Sequence, residues 1–478
     1  MKSFFTFSIF LFSILFINAQ SYNYYFGNLH SHTAFSDGNK DSLTSGIGRP
    51  DGSYTYAKAS QNFNFLGISE HNHYSSLRNP GFKLPRYQVG LNMANAANQE
   101  GTFLSLYGIE FGVSSEYNGH VLIYGFNHLL GWETNVVGQP GNNYDIYNDK
   151  SDFDGLFRKI KNNPGSFAYL AHPNFNDFST NGNYTGSLAY APYNASYDSA
   201  IVGMPLRSGL AFSTFESYND YSIGNYFVYF KKLLYQGYHL GIGYDHDNHY
   251  TNFGRSNGGR LAIITPSLTR NNLISAMQQM HFYGSDDSNA KIEFSMNGNI
   301  MGSILSGSVY PTFQVLHNDP DGELADTIKI WKGYKNSGGL WADIVNTSIH
   351  SNTSGFIDYS IQPGIEYYYF AEIKQADGQW IVTSPIWYTG TAPVFVKENL
   401  QTIDFNFFPN PVLKQLNLIV PQSNQYDAII TDVLGKEVLH KKSNQSETLL
   451  LLNEIVSGIY TLTIKTDKTS SSKKIIIE

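Results

Sequence analysis

The sequence of 478 residues contains no cysteine, so disulfides, thiolate metal ligands and a thiol nucleophile are all excluded. Its stability has to come from buried cores and from any metal that its other side chains can hold. Lysine and arginine form no run before the last few residues, and the formal net charge is -8. That balance excludes the basic footprint of a nucleic-acid partner. Beyond residue 20 no segment is apolar over the roughly 20 residues that a membrane-spanning helix needs, so no stable membrane insertion is expected. Apolar residues make up 41% and charged residues 15%, a composition that supports ordinary globular cores rather than disorder. At this length two to four such cores are expected. The 35 tyrosines and 33 phenylalanines suit thick sheet cores more than a carbohydrate-binding surface.

The chain divides by texture. Met1 and Lys2 precede an apolar run from Phe4 to Ile17 and a small residue at Ala19, which together read as a signal peptide over residues 1–20. From Tyr22 to about Ser288, apolar runs alternate with helical patterns. Residues 63–69, 102–109, 120–126, 166–171, 213–217, 239–243 and 260–264 predict strands, and 54–61, 87–99, 153–161, 226–236 and 271–280 predict helices. The alternation predicts an α/β fold of parallel β/α units over residues 21–288, closed into a distorted (β/α)7-type barrel. Residues 289–392 change to alternating apolar and polar positions with frequent turns, predicting a β-sandwich of the immunoglobulin or fibronectin kind. A linker over 393–403 leads to a small all-β unit, 404–478.

Eleven of the fourteen histidines precede residue 288. His30-Ser31-His32 is the sharpest local signal, because imidazoles at i and i+2 on an extended segment point the same way and can share one ion, while Asp37 on the following loop can reach a neighbour. His71, Glu110, His172, Asp247 and His249 fall where predicted strands end, and His120 opens another.

Taken in order, Ile68-Ser69-Glu70-His71, Gly108-Ile109-Glu110-Phe111-Gly112, Gly119-His120-Val121, Ala171-His172-Pro173-Asn174 and Asp247-Asn248-His249, together with the His30 segment, resemble the polymerase and histidinol phosphatase (PHP) family of metal-dependent phosphoesterases. The Glu110 and His120 pair is similar to the branch that includes carbamate-hydrolysing relatives. The resemblance implies a metal centre of nine residues: His30, His32, Asp37, His71, Glu110, His120, His172, Asp247 and His249. It implies that His30, His32, Glu110 and Asp247 hold one ion, that Glu110 bridges to a second held by His120 and His172, and that Asp37, His71 and His249 hold a third. Glu110, Asp247 and His249 are then the residues expected to carry the reaction. Two or three divalent ions (Zn, Mn or Fe) suit imidazoles mixed with a few carboxylates.

Two features depart from the family pattern. Glu70 stands where the family commonly has Asp, and Asp245-His246-Asp247 allows Asp245 with Asp247 as a second spacing. The expected activity is hydrolysis of phosphomonoesters or phosphodiesters by a metal-bound hydroxide at a multinuclear site. Hydrolysis of a carbamate, carboxyl ester or amide is the alternative, and a metal-stabilised glycan-binding protein is the non-enzymatic one. Arg255 and Arg260 are candidate substrate ligands, with surface pairing to acids as the bland alternative. His73 and His246 are candidate proton donors, and exposed loop histidines are the bland reading of both.

From Phe405 the sequence resembles the C-terminal sorting domain of type IX secretion, through Phe408-Pro409-Asn410-Pro411, Ile430-Thr431-Asp432-Val433-Leu434-Gly435-Lys436, Gly458-Ile459-Tyr460-Thr461-Leu462 and the closing Lys473-Lys474-Ile475-Ile476-Ile477. That resemblance implies export through both membranes, with the type IX machinery as a partner, and says nothing of catalysis; a small-molecule or glycan-linked ester is the substrate expected from the hydrolase reading.

Overall fold

The computed structural model describes residues 22–59, 62–72, 82–112, 119–132, 143–179, 187–209, 211, 220–253, 258–337, 341–391, 403–421, 425–466 and 470–478. The signal peptide, the strand expected over 213–217, His73 and Arg255 lie outside them. The chain forms two compact units, 1–394 and 395–478.

Nine strands carry the first part of unit 1: β1 (Asn23–Asn28), β2 (Phe65–His71), β3 (Leu104–Phe111), β4 (His120–Tyr124), β5 (Phe167–Ala171), β6 (Ile201–Ser208), β7 (Gly241–Asp245), β8 (Arg260–Thr265) and β9 (Phe282–Ser285). Five helices pack around them: α1 (Pro50–Lys58), α2 (Leu84–Ala97), α3 (Phe153–Lys161), α4 (Asp220–Gln236) and α5 (Arg270–Gln278). The helix signals are local. In α3, Asp152 caps the amino end by accepting from the Gly155 N–H at 2.8 Å. Phe153, Leu156, Phe157 and Ile160, spaced at i, i+3, i+4 and i+7, are its buried stripe. Pro50 opens α1 at a position where its missing N–H costs nothing. All eight residues of β3 are buried, as in a strand covered on both faces.

The barrel expectation is overturned. Among the described residues there are 28 strands against seven helices, and the strands of unit 1 up to Gly390 lie in large open sheets. The sheet is mixed: β1, β2 and β3 run parallel, β3 to β4 and β4 to β5 are antiparallel, β5, β6 and β7 are parallel again, and β8 runs antiparallel to β1. The physical reason is connection length and edge pairing. Only eight residues, 112–119, join β3 to β4, fewer than the dozen or so that a parallel crossover requires. At the far end β7 packs against β8 and β9 but forms no ladder with them. Instead β9 pairs antiparallel with the strand Trp380–Thr383, so one sheet of fifteen strands runs on into the later residues of the unit.

Residues 291–390 contribute a four-stranded sheet, with Ile292, Phe294, Met296, Phe313 and Val315 facing Ile328, Ile330, Tyr367, Tyr369 and Ile373. The strand Thr312–Asn318 alternates exposed and buried residues throughout its length, the pattern of a strand with one wet face. Phe26, Ala262, Ile264 and Tyr283 from β1, β8 and β9 belong to the same core. Unit 2 has its own core, formed by Phe405, Leu416, Leu418, Ile430, Leu462, Ile464 and Ile475 among others, between a three-stranded and a four-stranded antiparallel sheet. Among the described residues no helix is long and apolar enough to cross a membrane.

Candidate metal centre

Strand register brings the site together. The β2–β3 ladder ends with His71 beside Glu110, the β3–β4 ladder sets Glu110 against Leu122, and the β4–β5 ladder sets His120 against Ala171, one residue before His172. On the other side β1 extends past Asn28 as a single parallel bridge from Ser31 to Asn248. Asn28 ties the two loops. Its carboxamide oxygen accepts from the His30 N–H at 3.0 Å and the His246 N–H at 3.2 Å, and its amide donates to the His30 carbonyl at 2.7 Å. Six imidazoles and three carboxylates thus converge from six segments.

Glu110 is the hub. Its Oε2 lies 3.1 Å from His30 Nε2 and 3.1 Å from His32 Nε2, and its Oε1 lies 2.7 Å from His120 Nδ1 and 3.1 Å from His172 Nε2. Asp247 Oδ1 lies 3.2 Å from His30 Nε2 and 3.3 Å from His32 Nε2. Asp37 Oδ1 faces His249 Nε2 at 3.4 Å and His71 Nε2 at 3.7 Å. Donor atoms within 4.8 Å of one another form three overlapping sets: His30, His32, Glu110 and Asp247; His32, Asp37, His71 and His249; and His71, Glu110 and His120. The first has the composition expected for one ion. In the other two His71 stands between centres, and His172 joins through Glu110.

The floor of the cluster, His30, His32 and Glu110, is fully buried, while Asp37, His71, His120 and His172 are partly open, which leaves one side of the cluster accessible. Burial alone would push Glu110 and Asp247 up. The facing imidazoles outweigh it, His30 foremost for both, and hold the two well below the usual carboxylate range. Burial disfavours the charged form of His32, but the Asp247 and Glu110 carboxylates win and push it up to about 10. These groups fit a cation. His32 Nδ1 and Nε2, Asp37 Oδ1 and Asp247 Oδ1 are buried without a hydrogen bond of proper geometry, although oppositely charged partners lie close. Buried charges are ordinarily paired or coordinate a metal. His172 and Asp247 also adopt positive φ, +28° and +49°, a backbone strain of about 1–3 kcal/mol each that clusters at functional sites.

Around the donors stand residues that orient them. His30 Nδ1 lies 3.2 Å from Asp245 Oδ2, which places Asp245 behind an imidazole whose Nε2 faces Glu110 and Asp247. Glu70 accepts from the Thr33 N–H at 3.1 Å and from the hydroxyls of Thr33 and Ser36, so it fixes the loop that carries Asp37. The sequence signal for Asn28 is its position two residues before His30, the spacing of a side chain that closes onto its own backbone.

Two of the other candidates are engaged elsewhere. The Arg260 guanidinium donates to the Gly258 and Gly259 carbonyls at 2.8 Å and lies over the Phe63 ring. His246 Nε2 meets the Gly259 carbonyl at 2.7 Å, and burial, helped by Arg260, pushes its pKa down to about 3. The His246 Nε2 is thus engaged by a backbone carbonyl.

None of the curated proteins matches the chain, and no model of the polymerase and histidinol phosphatase family matches it either. Solved structures that align include the human OSCAR ligand-binding domain, at 13% identity over 39% of this chain and 95% of that one with a TM-score of 0.15. Titin domains z1z2 in complex with telethonin align at 11% identity over 39% of this chain and 94% of that one, again with a TM-score of 0.15. The chicken CNTN1 FN1-FN3 domains align at 11% identity over 36% of this chain and 62% of that one, with the same TM-score of 0.15. Likenesses at that level carry no argument about this chain. Residues 406–478 match the model of the secretion system C-terminal sorting domain, which indicates export to the cell surface or secretion and implies the type IX secretion machinery as partner.

Proposed function

We propose that unit 1 is a metal-dependent hydrolase of extracellular phosphate esters. The observation that carries this reading is the convergence of nine imidazole and carboxylate groups, with Glu110 as the hub, in a buried, half-open cluster. The order of the motifs, similar to that of the PHP phosphoesterases, supports it. His30, His32, Glu110 and Asp247 would hold one divalent ion, with Asp37, His71, His120, His172 and His249 completing the neighbouring positions. When bound, such ions acidify a water and polarise the ester. The chain itself supplies the geometry: Glu110 keeps two donor sets at a fixed spacing, Asp245 fixes the tautomer of His30, and the Glu70 clamp holds Asp37 in place. Preorganised groups of this kind supply transition-state stabilisation because they need not reorganise during the reaction.

A second reading, hydrolysis of a carbamate, carboxyl ester or amide at the same centre, is favoured by one observation. Arg260 is engaged by backbone carbonyls and Phe63, which removes a candidate phosphate clamp. Elemental analysis of the mature protein, with turnover of a phosphomonoester, a phosphodiester and a carboxyl ester, tests both. Two or three transition-metal ions per chain, with turnover abolished by chelation and in Glu110→Ala and Asp247→Ala, are expected, and the preferred ester chooses between the readings. A chain that takes up no metal and turns over none of the three is not a hydrolase.

A further inference from the structure

Where the end of α4 meets the turn after the strand Ala325–Tyr334, aromatic rings and ammonium groups gather at the surface of unit 1. The Lys232 ammonium, on α4, lies 5.8 Å from the centroid of the Tyr190 ring, 5.3 Å from that of Tyr235 and 5.2 Å from that of Trp341. The Asn336 N–H donates to the Tyr235 carbonyl at 2.9 Å, which brings the turn carrying Lys335 against the end of α4. The Lys335 ammonium lies 4.3 Å from the centroid of the Tyr193 ring. Tyr190 is 52% exposed, Lys335 is exposed and the other four are half-buried, so solvent reaches all six. Among the described residues neither ammonium has an ion pair or a hydrogen bond. The carboxylates near Tyr193 are taken: Asp198 accepts from the Tyr193 hydroxyl at 2.8 Å and faces His239 at 2.9 Å, and Glu366 faces the same imidazole at 3.0 Å.

The rings are held by their own supports. Gln236 Nε2 donates to the Ala189 and Ala191 carbonyls at 3.0 and 2.8 Å, on either side of Tyr190, and the Tyr368 hydroxyl donates to the Trp341 carbonyl. Groups fixed in this way lose little freedom when a ligand settles on them. The face of an aromatic ring is negative and attracts the weakly positive C–H face of a sugar ring, while an ammonium without a partner attracts a carboxylate. Four rings with two ammonium groups set among them match a chain in which neutral and acidic sugars take turns. A densely charged polyanion is opposed by the net charge of -8, and a phosphate chain is best held by the forked donors of arginine, which this group of residues lacks. The Phe175 ring, 6.0 Å from that of Tyr190, carries the aromatic strip onto the loop that bears His172.

We propose that this surface binds an acidic polysaccharide in which uronic acids alternate with neutral sugars, the sugar rings stacking on Tyr190, Tyr193 and Trp341 and the carboxylates pairing with Lys232 and Lys335. An exported chain meets such polymers outside the cell. Binding here needs no turnover at the histidine cluster and does not depend on the activity proposed for it.

The test is calorimetric titration of the full mature chain with a hyaluronan octasaccharide, whose uronic acids and neutral sugars alternate. A maltose octamer serves as the neutral probe and a single-stranded oligothymidylate as the phosphate one. Saturable binding of the hyaluronan fragment is expected, weakening as salt is raised from about 20 mM to about 0.5 M because the pairs are solvent-exposed. Lys232→Gln keeps most of the stem and Tyr190→Ala removes a half-exposed ring, so the fold should persist in both, as circular dichroism will show. Each should lose at least about tenfold in affinity. Chelation of metal should leave the affinity unchanged, which separates this surface from the histidine cluster. Absence of hyaluronan binding in the parent, equal or tighter binding of either other probe, affinities within twofold of the parent in both variants, or loss of binding on chelation would overturn the proposal.

Discussion

Replacing Asp245 by Asn isolates the contribution of the residue behind His30. Asp245 Oδ2 and His30 Nδ1 are 3.2 Å apart, and both side chains are shut off from water. The variant keeps the shape and one oxygen acceptor but loses the charge. A hydrogen bond to an ionised partner contributes about 1.5–3 kcal/mol where a neutral one contributes about 0.5–1.5, so the change removes about 1–1.5 kcal/mol from the preference of His30 for presenting its Nε2 to a metal. At about 1.4 kcal/mol per factor of ten, that is roughly a tenfold loss of metal affinity, at the lower end of the 10–100-fold range found for residues supporting a ligand. Asp245→Ala, which leaves no acceptor, should lose more. The assay is competition for zinc against a chromophoric chelator, with far-ultraviolet circular dichroism to show that the fold persists. An affinity within twofold of the parent in both variants would refute the assignment of Asp245 as the orienting residue.

Three further outcomes are expected. Glu70→Ala leaves the Thr33 N–H and two hydroxyls without their acceptor in a buried loop, so about 2–4 kcal/mol of stability should be lost, read from the urea midpoint, together with some of the bound metal. Gly108→Ala puts a Cβ against the Ile123 carbonyl oxygen of the neighbouring strand, two residues from Glu110. A loss of more than about 3 kcal/mol and of metal content should follow, and a stable, metal-replete variant would contradict the register. His239 lies 2.9 Å from Asp198 and 3.0 Å from Glu366; burial opposes its charge, but the two carboxylates push its pKa up to about 9. Because the folded value exceeds the unfolded value of about 6.5, this stabilisation is complete below pH 6.5 and disappears as the pH rises through 9. Discounted for the exposure of Glu366, it amounts to about 1–2 kcal/mol. Urea midpoints of the parent and His239→Gln should therefore differ at pH 6 and converge by about pH 10, and a constant gap would rule the bridge out.

The residues of the histidine and carboxylate cluster, and the strands that lead into it, carry signals that are local along the chain. A donor is a polar residue at the end of an apolar run, and β2, β3, β4, β5, β7 and β8 are such runs. The helix signals, a cap and an apolar stripe, are equally local. Pairing is not. Nothing in the residues of β8 states that it lies antiparallel to β1, more than 230 residues earlier in the chain, or that β9 finds its partner at Trp380–Thr383. The strand β6 escaped notice for a different reason. Pro205 interrupts its donors, and Arg207 puts a charge in a buried run, where Asp286 at 2.8 Å neutralises it. Asp245 with Asp247 is an alternative spacing in the sequence, and the family's Asp-x-His favours Asp247 with His249. The positive φ of Asp247 turns its carboxylate to the other ligands and leaves Asp245 behind His30, a distinction made by the backbone and invisible in the order of residues.

The ladder between β9 and Trp380–Thr383 also decides where this polypeptide can be divided. The change of texture near Ala290 invites a cut, but a chain ended there would leave the β9 edge with open N–H and C=O groups and bare the side chains of Phe26, Ala262, Ile264 and Tyr283. Such an edge templates the addition of strands from other molecules. The later strands of unit 1 thus act as a cover for the half that carries the histidine cluster, and a gene fragment encoding that half alone would yield aggregates, however complete its set of candidate ligands.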